Sequence, residues 1–221
     1  LQLDKQLHAF IWRSMSVNNC NTYLIDRSRR ILIDPGHSAY FDHVESGLRE
    51  LGLTVADIDV VLCTHAHPDH IEAVQLFKEA GALFGLHAAD WELVRQMAPH
   101  LQAAGGFSLD ALTPDLLLQE GELNIGDTQL MVYHTPGHSP GSVCFYWPLG
   151  KVLVTGDLVF KAGVGRTDLP GGDGRQLKHS IQRMAGLEVD HFLPGHGDTI
   201  SGAQEVQRNF QRLDSAYLSY L

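Results

Sequence analysis

With 221 residues, 44% of them hydrophobic, the chain is long enough for one substantial core and reads as a single domain over 1–221. Its 26 acidic against 16 basic residues leave a formal net charge of −10. That excludes a generic phosphate-backbone binder, because such proteins gain affinity from clustered Lys and Arg, so no nucleic-acid partner is expected.

Cys20, Cys63 and Cys144 are widely spaced and form no CxxC pair, so neither a disulfide framework nor a thiolate zinc site is expected, and a reducing cytoplasm fits best. No run approaches the roughly 20 apolar residues of a membrane span, so no membrane partner is expected.

Short apolar runs bounded by turn residues alternate with amphipathic stretches, the pattern of an α/β chain. NTYLID and RILID read as strands, with Arg27, Arg29 and Arg30 in a solvated turn between them. A helix is predicted over Phe41 to Leu51, then a strand in VVLCTH. In IEAVQLFKEAG, Ile71, Val74 and Phe77 recur at helical spacing and Gly81 supplies the stop. A further helix is expected over Ala88 to Met97. QLMVYHT, SVCFYW and KVLVTGD read as strands, followed by a helix over Arg175 to Ala185, the strand HFLPGH, and a helix over Ala203 to Leu218. Cys63 and Cys144 lie inside apolar runs and are read as core residues.

Four of these strand-like runs end directly in polar tips: VVLC in THAHPDH, MVYHT in PGH ending at His138, VLVTG in Asp157, and HFLP in GH ending at His196. Loops at one edge of a packed sheet are where a rigid scaffold can hold reactive side chains. Alternating residues of an extended segment point the same way, so His65 and His67 can reach one ion together. Asp69 and His70 point elsewhere, at the start of the Ile71 helix, where Asp69 benefits from the positive helix end.

Two pairs of donors suggest two adjacent metals. His138 completes a three-histidine site with His65 and His67, His196 completes a second site with Asp69 and His70, and Asp157 is a carboxylate suited to bridging both. Asp69 and Asp157 are also the candidate catalytic carboxylates. Histidine and carboxylate donors without thiolate suit zinc, iron or manganese.

The series HxHxDH, GH, GD and PGHG, in that order and over most of the chain, resembles the metallo-β-lactamase superfamily. The resemblance implies an αββα sandwich, a first metal on His65, His67 and His138, and a second on Asp69, His70 and His196, with Asp157 between them. Metal coordination lowers the pKa of a bound water from about 15.7 to about 7, so attack of a metal-bound hydroxide on a polarised carbonyl is the expected chemistry. A thiolate leaving group needs little protonation, which suits a thioester.

FKAGVGRTDLPGGD, residues 160–173, resembles a GxGRTD segment shared by glyoxalase II-like hydrolases and persulfide dioxygenases. By that likeness Arg166 would grip a substrate carboxylate, with Lys161 and Thr167 as weaker candidates. The residues after His196 read as a single helix, so a short glyoxalase II-like chain is expected, without the larger helical domain of the long enzymes. The expected substrate is a small thioester, S-lactoylglutathione or a relative, so a glutathione-linked small molecule is the expected partner. The alternatives are a persulfide dioxygenase with one iron on His65, His138 and Asp157, and a lactone or ester metallohydrolase.

Of the other histidines, His8, His43, His100, His179 and His191 are read as surface or packing residues, and His134 as packed within its strand. His37 and His87 are placed in loops that could border the pocket, the packing reading being favoured for each. Asp34 in LIDPG is weighed equally as a turn-initiating aspartate and as a carboxylate that orients a ligand histidine.

Overall fold

The computed structural model describes residues 2–14, 16–104, 109–217 and 220. The side chain of His100 and residue Leu218 lie outside the described residues.

The first half of the chain builds one sheet in sequence order, from β1 (Gln2–Asp4), β2 (Leu7–Phe10), β3 (Thr22–Ile25), β4 (Ile31–Ile33), β5 (Val60–Leu62) and β6 (Leu83–His87) to β7 (Leu116–Leu118). Pairing is antiparallel up to β4 and parallel from β4 to β7. The chain then forms β8 (Gly121–Ile125), β9 (Thr128–His134), β10 (Val143–Trp147), β11 (Val152–Gly156), a ribbon of β12 (Val159–Phe160) and β13 (Gly163–Val164), β14 (His191–Pro194) and β15 (Ile200–Ser201). The second sheet has the order β15-β14-β11-β10-β9-β8, with β11 and β14 parallel. The helices are α1 (Asp42–Glu50), α2 (Pro68–Ile71), α3 (Val74–Glu79), α4 (Ala88–Ala104), α5 (Gly174–Met184) and α6 (Ala203–Ala216).

Strand alternation sorts the apolar side chains into three layers. Ile31, Ile33, Val60 and Leu62 of the first sheet meet Val143, Phe145, Val152 and Val154 of the second. Between them, Leu32 and Val61 turn the other way, onto Val44 and Leu48 of α1 and Val74 and Phe77 of α3. Cys144, Leu153 and Phe192 turn outward from the second sheet onto α5 and α6. Because both faces of each central strand are covered, the strands read as continuous apolar runs rather than as alternating ones. The result is the expected αββα sandwich of four layers. Cys63 and Cys144 are buried in the two outer layers.

The turn after β3 is closed by Arg30 on Asp26, while Arg27 pairs with Asp127 and Arg29 with Asp59. The helix predicted across IEAVQLFKEAG is broken into α2 and α3. At the break the Ala73 N–H donates to the Gly36 carbonyl at 2.9 Å, and the Glu72 carboxylate lies 2.9 Å from His37 Nδ1. Docking onto the loop after β4 therefore replaces the helical ladder. β1, β2, β6, β7, β8, β12, β13 and β15 are strands that the sequence reading did not anticipate. His87 closes β6 instead of lying in a loop, and its ring stacks on His134 with centroids 4.3 Å apart and 9° between planes. No helix of the described residues is long and apolar enough to cross a membrane.

Candidate metal centre

The carboxyl ends of β4, β5, β6, β9, β11 and β14 deliver Asp34, the Thr64–His70 segment, Asp90, His138, Asp157 and His196 respectively. Rigid strands thus hold the start of each loop, and the loops themselves are short.

Donor atoms of His65, His67 and His138 lie within 4.8 Å of one another, as do those of Asp69, His70 and His196, and those of His65, His70 and Asp157. His138 Nε2 is 2.8 Å from His67 Nδ1 and 3.2 Å from His65 Nε2. His196 Nε2 is 3.4 Å from His70 Nε2 and 3.3 Å from both Asp69 Oδ2 and Asp157 Oδ2. His138 Nε2 lies 3.6 Å from Asp157 Oδ2, and His70 Nε2 lies 3.4 Å from Asp157 Oδ1. Asp157 therefore stands between the two groups of three.

The far side of each ring fixes which nitrogen faces the cluster. His138 Nδ1 is 2.8 Å from the Arg166 carbonyl oxygen, which can only accept, so Nδ1 carries the proton and Nε2 presents a lone pair. His70 Nδ1 donates in the same way to Asp34 Oδ2 at 3.0 Å. Thr64 Oγ1 donates to Asp34 Oδ2 at 2.7 Å and so accepts from His65 Nδ1 at 3.1 Å. Such partners are how metal-ligating histidines are usually oriented.

Electrostatics divides the two groups. Burial first, then neighbouring His70 and His138, hold His65 well below the usual imidazole range; burial and His138 hold His67 down to about 4. Burial also acts to lower His196, but Asp157 and Asp69 outweigh it and push it up to about 9. His70 is raised in the same way, against burial, by Asp157, Asp34 and Asp69. Burial would raise Asp157 and Asp69, yet the facing imidazoles hold both carboxyls below their ordinary values.

The residues present fit a pair of divalent ions. With the Nδ1 protons of His65 and His138 directed to Thr64 and to the Arg166 carbonyl, their Nε2 lone pairs face each other at 3.2 Å, an arrangement that repels unless a cation lies between them. Asp157 Oδ1 is buried without a hydrogen-bond partner among the described residues, as a carboxylate oxygen reserved for an ion would be.

The residues named for substrate binding are not in the cluster. The Arg166 guanidinium is exposed and makes two bonds to Asp168, at 2.7 and 2.6 Å, while its main-chain carbonyl orients His138. Lys161 pairs with Asp198, which also takes Arg13, and Thr167 is half-buried in the same loop. Gly165 is needed for close approach, because a Cβ there would stand 1.8 Å from the Asp157 carbonyl oxygen. His37 pairs with Glu72 and His87 packs on His134, and neither belongs to the groups of three.

Of the two roles weighed for it Asp34 fills the orienting one: at a positive φ of 54°, its carboxylate oxygens are taken by His70 and Thr64 rather than by the backbone of its own loop. Sequence reasoning missed Asp90, Asn18 and Asn21. Asn18 Nδ2 donates to Asp69 Oδ2 at 2.7 Å. Asn21 Nδ2 donates to the carbonyls of Pro194 and Gly197 on either side of His196. The dense asparagines of VNNCN were the available signal for the last two; Asp90 had none.

Comparison with known proteins supplies relatives. A family model described as the metallo-beta-lactamase superfamily matches residues 15–204. A probable metallo-hydrolase, YqgX of Bacillus subtilis, is 34% identical over 90% of this chain and 95% of its own. The hydroxyacylglutathione hydrolase GloC of Haemophilus influenzae is 34% identical over 86% of this chain and 91% of its own. Among solved structures, TTHA1623 in a di-iron-bound form matches with a TM-score of 0.68 and 35% identity, over 82% of this chain and 89% of that one.

Proposed function

Since this chain belongs to the metallo-β-lactamase superfamily, we propose that it is a dinuclear metal-dependent hydrolase of a small thioester, S-lactoylglutathione or a relative. The observation that carries the two-metal reading is the second group of three: Asp69, His70 and His196 converge as completely as His65, His67 and His138, with Asp157 shared between them. A persulfide dioxygenase with one iron on His65, His138 and Asp157 would leave that second group without a task. The likeness to the hydroxyacylglutathione hydrolase from Haemophilus influenzae supports the thioester.

His65, His67 and His138 would hold one ion and Asp69, His70 and His196 the other, with Asp157 bridging. Bound there, the ions would lower the pKa of a water to about 7 and polarise the carbonyl it attacks. The protein's own part is positional. Thr64, Asp34 and the Arg166 carbonyl fix ring orientation, and Asn18 holds the outer oxygen of Asp69. Arg166 and Lys161, exposed on the 160–173 loop and paired only with surface carboxylates, would exchange those partners for an anionic substrate tail, with Thr167 beside them. The three buried free cysteines fit a reducing compartment, and the proposal places the enzyme in the cytoplasm.

The test is metal content per chain in protein purified without chelator, followed by thioester hydrolysis. Two equivalents of zinc, iron or manganese, with hydrolysis lost in His196→Ala, are expected. One equivalent of iron with oxygen uptake on glutathione persulfide would replace this reading by the dioxygenase.

A further inference from the structure

Asp90 lies in the first turn of α4 and is wholly buried. An acid at that position usually serves its own helix, but the three donors that Asp90 accepts from all belong to other elements. Its Oδ2 accepts from the Ala66 N–H at 2.8 Å and from Ser139 Oγ at 2.8 Å, and its Oδ1 accepts from the Gly141 N–H at 2.6 Å. Ala66 is the residue between His65 and His67, and Ser139 follows His138. One carboxylate therefore ties together the two loops that supply all three histidines of the first group.

The packing around it is close. A Cβ on Gly141 would lie 2.4 Å from the Asp90 backbone nitrogen, so the His138 loop rests directly on the start of α4. The direction of the Ser139 bond is set by its neighbour. Ser139 N–H donates to Ser142 Oγ, whose own hydrogen goes to Ser139 Oγ at 2.7 Å, leaving the Ser139 hydroxyl hydrogen for Asp90. No ion pair of the described residues includes Asp90. Burial raises its carboxyl pKa, and the bonds from Ser139, Gly141 and Ala66 act against that rise. A buried carboxylate without a cationic side chain is costly unless a positive charge lies nearby, and the three-histidine cluster is where a cation would stand.

Asp34 is its counterpart. It holds the other end of the same segment through the Thr64 N–H, Thr64 Oγ1 and His70 Nδ1, and so serves both groups, His70 directly and His65 through Thr64. We propose that Asp90 is the positioning residue of the three-histidine site, fixing the spacing of His65 and His67 against His138 and thereby the metal affinity of that site alone. The proposal rests on the reading that this cluster holds a metal ion.

The test uses Asp90→Asn in two backgrounds. His196→Ala leaves the three-histidine site, and His138→Ala leaves the other. Zn²⁺ affinity is read by competition with a chromophoric chelator, so no activity is needed. Asp90→Asn should weaken binding about 10- to 100-fold in the His196→Ala background, the usual effect of losing a partner that orients a ligand. In the His138→Ala background it should change binding by no more than about twofold, because Asp90 bonds none of Asp69, His70 and His196.

Equal losses in both backgrounds would show that Asp90 merely supports the fold, and no loss in the first would remove its role; either outcome overturns the proposal. Should Asp90→Asn fail to fold, Ser139→Ala keeps the carboxylate and removes one donor, and the same site-selective loss, smaller in size, is required of it. A wild-type chain that binds no Zn²⁺ would overturn the two-metal reading and this proposal with it. Wild-type binding of two ions with unselective variants overturns this proposal alone.

Discussion

His138 Nδ1 and the Arg166 carbonyl oxygen are 2.8 Å apart, so the loop named for substrate recognition also holds a candidate metal ligand, through its main chain. The two roles separate cleanly. Arg166→Ala retains the carbonyl and removes only the guanidinium, so KM for an anionic thioester should rise about tenfold with kcat little changed, as for loss of uniform binding through one charge-assisted bond. Steady-state kinetics with a charged and an uncharged thioester checks this, and equal effects on both would detach the guanidinium from the substrate. Gly165→Ala should instead abolish activity, because its Cβ would overlap the Asp157 carbonyl.

A proton and a metal compete for the same imidazole lone pair, which gives the two sites different pH profiles. His196 is pushed up to about 9, so affinity at its site should climb with pH, by about tenfold per unit for each displaced proton, and level off above that value. His65 is held well below the usual imidazole range and His67 down to about 4, so neither of these two should release a proton on binding metal around neutrality. Isothermal titration in buffers of different ionisation enthalpy counts the protons released. Release from the first site and none from the second would reverse the assignment.

Metal removal should also destabilise the fold. At free metal about 1,000 times Kd, each site contributes about 4 kcal/mol, so chelation should lower the melting temperature by roughly 2–4 °C per kcal/mol lost for a chain of this size. A melting temperature indifferent to chelator would mean that the donors bind no ion tightly.

Away from the centre, Phe192 fills the layer between the second sheet and α6 and meets Phe210 edge-on, with centroids 5.9 Å apart. Phe192→Ala should cost about 3–5 kcal/mol by urea denaturation, with metal stoichiometry of the folded fraction unchanged.

The donors could be read in advance because each follows an apolar strand directly, and a run such as VVLC passing at once into THAHPDH has no packing explanation. Other features depend on partners remote in sequence. The break between α2 and α3 is made by Gly36 and His37, and nothing within IEAVQLFKEAG announces it. Asp90 looks like an ordinary acid opening a helix until residues 66, 139 and 141 surround it. His87 reads as a loop residue because GALFGLHAAD is short and rich in small residues, yet pairing of Val60 with Leu83 and of His87 with Leu118 makes it the end of a strand. Asp34 showed its orienting role only when the fold placed Thr64 and His70 against it.

The chain divides between β7 and β8 into two halves, each building one sheet. His65, His67, Asp69 and His70 come from the first, and His138, Asp157 and His196 from the second. Each group of three draws on both. Bound ions would therefore act as rivets between the sheets. A polypeptide cut at Gln119 should reassemble from its fragments more tightly with metal than without, and neither fragment alone could offer an ion a complete set of donors.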